Sequence, residues 1–295
     1  YKSTEYAVRG KLLWTPADDT RITLTAEYLN QDSDIGLVRT LRPGIVGLDG
    51  VSRWSGRPRN TSVNQDPKSI IWRASGVLKV EQDFSFARFI STTAYQSNRD
   101  KWILDSDGTP AFVLQSWTAD WNQGWTQEFQ LQSNSASALQ WVTGAYFLDS
   151  TIKQDPQLLI GSRTGAAQFF RRYGWVKTSS ISGFGQATWE VTPGTKITGG
   201  LRWTQDKKDL RQAEDRVTGP GALRVDALKN SKLTYRFAVD HDLSEGVMAY
   251  ATLSRGYKSG EFNLTSTANP LIRPETLDAI EGGIKSELFD RRLRL

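Results

Sequence analysis

Apolar and polar residues alternate with a period of two in segment after segment of this chain. In TEYAVRGKLLW (4–14), Tyr6, Val8, Leu12 and Trp14 share one face while Glu5, Arg9 and Lys11 share the other, the periodicity of a strand. After the turn PADDT, RITLTAEYLNQ sets Ile22, Leu24, Ala26 and Tyr28 against Arg21, Thr23, Thr25 and Glu27. The pair predicts a hairpin of two strands of about ten residues each, long enough to cross a bilayer when tilted.

The same pattern predicts strands near 69–80 and 84–96 about the turn EQD (81–83), near 124–132 and 139–149 about SNSASA, and near 178–190 and 195–205 about VTPG. Further strands are expected near 232–240 and 247–255 about HDLSEG, and near 277–288 before FDRR and a terminal LRL. Between the hairpins lie long stretches without sustained periodicity, such as 32–67 and the residues from 97 to about 120, which read as loops. Short turns therefore alternate strictly with long loops, recurring at intervals of roughly 50 to 65 residues. A soluble sandwich spreads loop lengths over both ends, whereas a membrane barrel keeps short turns on one rim and long loops on the other. The expected fold is all-β: an antiparallel transmembrane β-barrel with short periplasmic turns and long extracellular loops.

Where the alternation is clean it assigns faces. Leu201 and Trp203, Leu233 and Phe237, and Val247, Ala249, Ala251 and Leu253 are expected to face lipid, with Arg202, Thr234, Tyr250, Thr252 and Ser254 facing the lumen. The segment 84–96 carries aromatics on both faces (Phe84 and Phe86, Phe89 and Tyr95), which leaves its register open and a bulge in view. Trp14, Trp141 and Trp189 lie beside short turns, where an interfacial aromatic girdle would sit.

Composition narrows the chemistry. Of 295 residues 38% are hydrophobic, and no run of about 18 apolar residues marks a transmembrane helix. Barrel strands remain compatible, because lumen-facing polar residues dilute their hydropathy. The chain has no Cys, one His and one Met beside 11 Trp, 9 Tyr and 12 Phe. That excludes disulfides and thiolate metal sites, and it leaves His241 as the one possible catalytic histidine. A net charge of +5 from 37 basic and 32 acidic residues is too mild and too dispersed for a nucleic-acid track. The glycine-spaced RGYKSG is followed by no helical pattern, against a phosphate loop; no cofactor is expected.

The stretch VMAYATLSRGYKSGEFN (247–263) then carries a resemblance. Tyr250, Ala251, Ser254, Gly256, Tyr257, Lys258, Gly260, Phe262 and Asn263, followed by Pro274, Glu275 and Thr276 and then Glu281, Gly283 and Lys285, resemble a linked motif of TonB-dependent outer-membrane receptors, especially the ferric-siderophore group. TQEFQLQSN with LQWVTGAYF resembles another strand pair of that family through Gln127, Glu128, Leu131, Ser133, Trp141, Gly144, Tyr146 and Phe147. SGFGQATWEVTPGTKITGGLRWT resembles its Phe-Gly-Gln hairpin through Gly200, Leu201 and Arg202, with Trp203 where Tyr is usual. These matches span about residues 120–295; the first 120 fit by hairpin rhythm.

The resemblance implies a barrel of about 22 strands filled by an N-terminal plug. Residues 1–295 supply about eleven strands and a stub, so the chain is expected to be an internal section, with the plug and C-terminal strands outside it. It further implies a Gram-negative outer membrane, lipid and lipopolysaccharide as neighbours, TonB acting through the plug, and import of a scarce ligand, most often a ferric siderophore. Glu281, Gly283 and Lys285 are expected to face the lumen and to balance charge with neighbouring strands, because a Lys facing lipid at the midplane costs about 2 to 4 kcal/mol.

Candidate ligand contacts sit in the predicted loops: Arg53, Arg57 and Arg59, with Arg39 and Arg42, in the first; Trp117 and Trp121, with Trp125, around the second; Arg171 and Arg172, with Arg163 and Tyr173, in the third; and Tyr257. Guanidinium groups suit carboxylate or catecholate anions, and Trp faces suit rings. A second reading is a soluble or surface β-protein that binds or cleaves polysaccharide, with Asp105 and Asp107 as acid and base. A solvated, turn-forming setting for those two residues speaks against it. A passive porin is the third.

Overall fold

The computed structural model describes residues 2–34, 42–53, 56, 63–134, 138–161, 170–216, 218–267 and 271–295. Arg39, Arg57, Arg59 and Arg163, candidate contacts in sequence, lie outside the described residues. Among those described, the regular elements are all strands: β1 (Ser3–Ala17), β2 (Thr20–Ser33), β3 (Lys68–Asp83), β4 (Ala87–Asp105), β5 (Gln115–Ser133), β6 (Leu139–Ile160), β7 (Phe170–Thr192), β8 (Thr195–Arg216), β9 (Arg224–Ser244), β10 (Val247–Lys258), β11 (Glu261–Phe262), β12 (Leu271–Ile272), β13 (Glu275–Leu288) and β14 (Leu293–Arg294). Twelve of them form one sheet in the order β1-β2-β3-β4-β5-β6-β7-β8-β9-β10-β13-β14, and β11 pairs with β12. Every pairing is antiparallel between neighbours in the chain, apart from the excursion between β10 and β13. This open meander is the expected barrel section.

The strands are longer than their apolar alternation. β4 and β5 run to 19 residues, β6 and β8 to 22 and β7 to 23. Much of what reads as loop is therefore hairpin: β4 continues to Asp105, and β5 begins at Gln115, before Trp117 and Trp121. Past the apolar stretch both faces are polar, so the period-two signal vanishes while the backbone ladder continues unchanged.

Face assignment follows from register. The row Leu12, Leu24, Leu78, Thr93, Gln127, Phe147, Ile181 lies on the face that exposes Trp14 (60%), Leu201 (58%) and Leu233 (52%). We call it the outer face. The opposite, inner face carries Thr198, Ala238 and Ser182, each buried. Trp189 is exposed beside the β7–β8 turn, as is Trp14 beside the β1–β2 turn, on the outer face.

Segment 84–96 has no bulge. Phe84 and Phe86 stand in the β3–β4 turn, their rings stacked at 6.1 Å. EQD belongs to β3 and does not form the turn. Phe89 and Tyr95 pair with Leu131 and Trp125 on the same outer face. The turn closes one step later than the sequence suggests, with Asp83 held by Arg21 and Arg88 and the Phe84 N–H donating to the Ala87 carbonyl at 2.8 Å.

Candidate functional site

The densest side-chain packing lies at the long-hairpin end of the inner face. There the segment after β10 folds onto β7, β8 and β9. Phe262 is buried against Val176 and Leu210, with Leu228 and Leu264 around it. Gly260 permits this approach: a Cβ there would lie 2.7 Å from Leu228 Cδ2 and 3.0 Å from the Ile272 carbonyl. The GYKSGEFN stretch is thus a strand end followed by a buried anchor.

Polar groups complete the clasp. Lys208 reaches Glu261 at 2.5 Å. Gln212 donates to the Leu264 carbonyl at 2.7 Å, and Arg172 donates to the Thr265 carbonyl. Arg172 also donates to Gln157 at 2.6 Å and grips Glu214 from β7, while Arg216 binds the other Glu214 oxygen. Burial pushes the Glu214 carboxyl up, but hydrogen bonds and charge from Arg172 and Arg216 outweigh it and leave the group below the usual carboxylate range.

A second inner-face set lies nearer the short turns. Arg202 donates to Ser182 and stands over the rings of Phe184 and Tyr146 at 5.2 and 5.8 Å. Gly144 admits Phe184, because a Cβ would lie 2.3 Å from the Phe129 carbonyl and 2.6 Å from the Phe184 ring. Glu128 accepts from Gln130 at 2.6 Å, and Gly200 lies beside Gln186. On the last strands Tyr250 donates to Glu281 at 2.7 Å and Lys285 stands 4.9 Å from the Tyr250 ring centroid. Gly283 leaves the room that this ring occupies. Pro274 abuts Gly260, Glu275 stands opposite Lys258, and Gly256 opposite Leu277.

The remaining sequence candidates disperse. Gln127 faces outward, accepting from Thr93 at 2.5 Å and donating to Ser91 at 3.0 Å. Trp117, Trp121 and Trp125 are not loop residues: every fourth position of β5, they are exposed on the outer face. Arg171 pairs with Asp155 at 3.1 Å and stays half-exposed, whereas the buried Arg172 is consumed by Glu214. Arg53 is exposed and bridges to Val46. The Tyr257 hydroxyl is buried.

Asp105 and Asp107 are buried, contrary to the solvated setting expected from sequence. They are turn fasteners. Asp105 accepts the N–H groups of Asp107, Gly108 and Asn64, and Asp107 those of Thr109 and Leu114. Carboxylates so occupied have no oxygen free for acid–base work. His241 sits exposed at the end of β9, 2.9 Å from the Thr195 hydroxyl.

Sequence reasoning missed Lys208, Leu210, Gln212 and Glu214. They lie in KKDLRQAED, beyond the expected strand end near 205, where β8 continues to Arg216 with mostly polar residues on both faces.

Solved structures match this sheet closely. The ferric yersiniabactin uptake receptor FyuA from Yersinia pestis superposes with a TM-score of 0.76 at 15% identity, over 97% of this chain and 43% of that one. The ferric-catecholate import receptor Fiu from E. coli K12, in its open form, gives 0.72 at 14% identity over 99% and 51%. The siderophore receptor PiuA from Acinetobacter baumannii gives 0.70 at 13% identity over 99% and 48%. The chain thus spans about half of each or less, and at such identities the likeness speaks for the fold. The family described as TonB dependent receptor-like, beta-barrel, matches residues 10–295, and the chain belongs to it.

Proposed function

We propose that this chain is a section of an active-transport receptor in a Gram-negative outer membrane, which captures a scarce ligand of the ferric-siderophore class. The observation that carries the reading is the asymmetry of the sheet. Short turns and exposed Trp14 and Trp189 mark one rim, hairpins of up to 23 residues per strand rise from the other, and large apolar side chains cover the outer face between. Capture belongs to the hairpin end, where the exposed Arg42 and Arg53 and the half-exposed Arg171 are, among the described residues, candidates for an anionic ligand. Energy would arrive from TonB through a plug seated against the inner face. The family is one of receptors, and no enzymatic step is proposed.

The test is equilibrium binding of ferric catecholate, hydroxamate and citrate chelates to the purified intact protein, followed by radioactive-iron uptake in cells with and without TonB. Tight binding and TonB-dependent uptake of one chelate support the reading. Binding of an oligosaccharide and of no iron chelate would remove the siderophore class and leave the receptor; uptake indifferent to TonB would remove the energy source.

A further inference from the structure

On the inner face two carboxylates stand directly opposite each other. Asp100 on β4 pairs in register with Asp120 on β5, and Asp120 in turn with Gln154 on β6. Side chains so placed lie about 5 Å apart at Cβ, and like charges there destabilise a sheet. Nothing in direct contact offsets this repulsion. The cation that acts on Asp100 is Arg73, opposite Asn98 and one row nearer the short turns, and it forms no ion pair with that carboxylate. The charge that acts on Asp120 is that of Asp100 itself.

Buried oxygens are aimed into the same row. Gln154 is 6% exposed, and its Nε2 donates to Asp120 Oδ1 at 3.0 Å, which fixes the amide head at the carboxylate pair. Its Oε1 is then buried with no hydrogen-bond partner. Turned over, the amide would set Oε1 against the Asp120 carboxylate, so the donor end must face Asp120. Asp100 Oδ1 is likewise buried and unpartnered. Buried oxygens without a donor are uncommon and costly, and here they adjoin two uncompensated negative charges. A cation held among Asp100, Asp120 and Gln154 satisfies all of them at once.

The donor set says which cation. Among the described residues no group of three or more His, Asp or Glu side chains could hold a metal ion, so this set is completed by an amide oxygen. All its donors are hard oxygens, which favour alkaline-earth over soft transition metals. Two carboxylates balance a divalent charge. Three neighbouring strands of one wall do not close an octahedron, and calcium accepts irregular geometry and water where magnesium does not. Asp100 and Asp120 are partly exposed, which leaves the inner side open to water. We propose that Asp100, Asp120 and Gln154 form a calcium site on the inner wall, joining β4, β5 and β6 within the long hairpins. The inference goes beyond the transport reading and is independent of the ligand carried.

The test uses the purified intact protein, stripped with a chelator, and the probes are calcium, magnesium and terbium ions. Equilibrium dialysis counts bound calcium, and heat-modifiable electrophoretic mobility certifies folding. Terbium emission excited through indole reads the site itself, because Trp102 lies two positions from Asp100 on the same face of β4.

Wild-type protein should prefer calcium over magnesium by about tenfold or more and should unfold at a higher temperature when calcium is present. Asp100→Asn with Asp120→Asn should bind one calcium fewer and lose the indole-excited emission. In chelator the same variant should unfold no lower than wild type, because the opposed charges are gone. Gln154→Leu should weaken calcium binding several-fold, whereas Asp149→Asn, which removes the partner of Lys177, should leave it unchanged. Equal calcium counts in wild type and the folded double variant, or no calcium bound by wild type at millimolar concentration, would overturn the site. Magnesium bound as tightly would overturn its assignment to calcium. None of these outcomes bears on chelate uptake, so the transport reading stands or falls separately.

Discussion

Arg172 and Glu214 face each other across β7 and β8 in direct register, the guanidinium Nε 3.0 Å from the carboxylate Oε2. Both side chains are nearly buried, at 11% and 7% exposure. Removing one partner of such a pair strands the other, which costs roughly 3 kcal/mol or more. Arg172→Met should therefore loosen the clasp over residues 259–267, visible as faster proteolysis or amide exchange in that segment. Combining it with Glu214→Leu should recover much of the loss. Protection unchanged in the single variant would show that the apolar anchor alone holds the segment.

The same pair sets an acid limit. Because the folded Glu214 carboxyl titrates below its ordinary value near 4.5, its contribution is fully present above that value and is lost as pH falls through the depressed one. Exchange protection of 259–267 should be flat from pH 7 down to about 5 and drop only in stronger acid. Glu214→Gln should abolish that drop while lowering protection at neutral pH.

Phe262 supplies the apolar half of the clasp. Phe262→Ala should cost on the order of 3 kcal/mol, the usual penalty for emptying such a site, confined to the local unit it anchors. Gly260→Ala should act in the same direction, since the Ile272 carbonyl cannot yield as a side chain would. The measurement is amide exchange of 259–273 against that of β3, which should not change.

Two strand glycines should behave oppositely. Gly144→Ala places a methyl against the Phe129 carbonyl and the Phe184 ring, whereas Gly199→Ala meets nothing within 4 Å. The first should lower the thermal unfolding midpoint and the yield of folded protein; the second should leave both unchanged. Equal midpoints would overturn the close approach of Gly144 to the Phe129 carbonyl, since a new rotamer of Phe184 relieves only the ring contact.

The strands, their order and the rim of short turns were legible because side-chain alternation and turn residues are local signals, written within ten residues. Face assignments for Leu201, Leu233 and Leu253 rest on the same locality. The upper halves of β4 to β9 were not legible: strand pairing there is held by backbone hydrogen bonds between residues polar on both faces, and a backbone ladder leaves no mark on composition. The candidate site suffered most from this. Trp117 and Trp121 passed for loop residues until register placed them on the outer wall.

The sequence by itself determined that this chain is an antiparallel meander with one apolar face, since period two admits no other regular structure. Only the tertiary structure decided that Arg172 is spent on Glu214, that Asp105 and Asp107 fasten a turn, and that Asp100, Asp120 and Gln154 form one row. Those relationships join residues up to about 55 apart in the chain, and register between strands, which sets them, is fixed by the whole sheet at once.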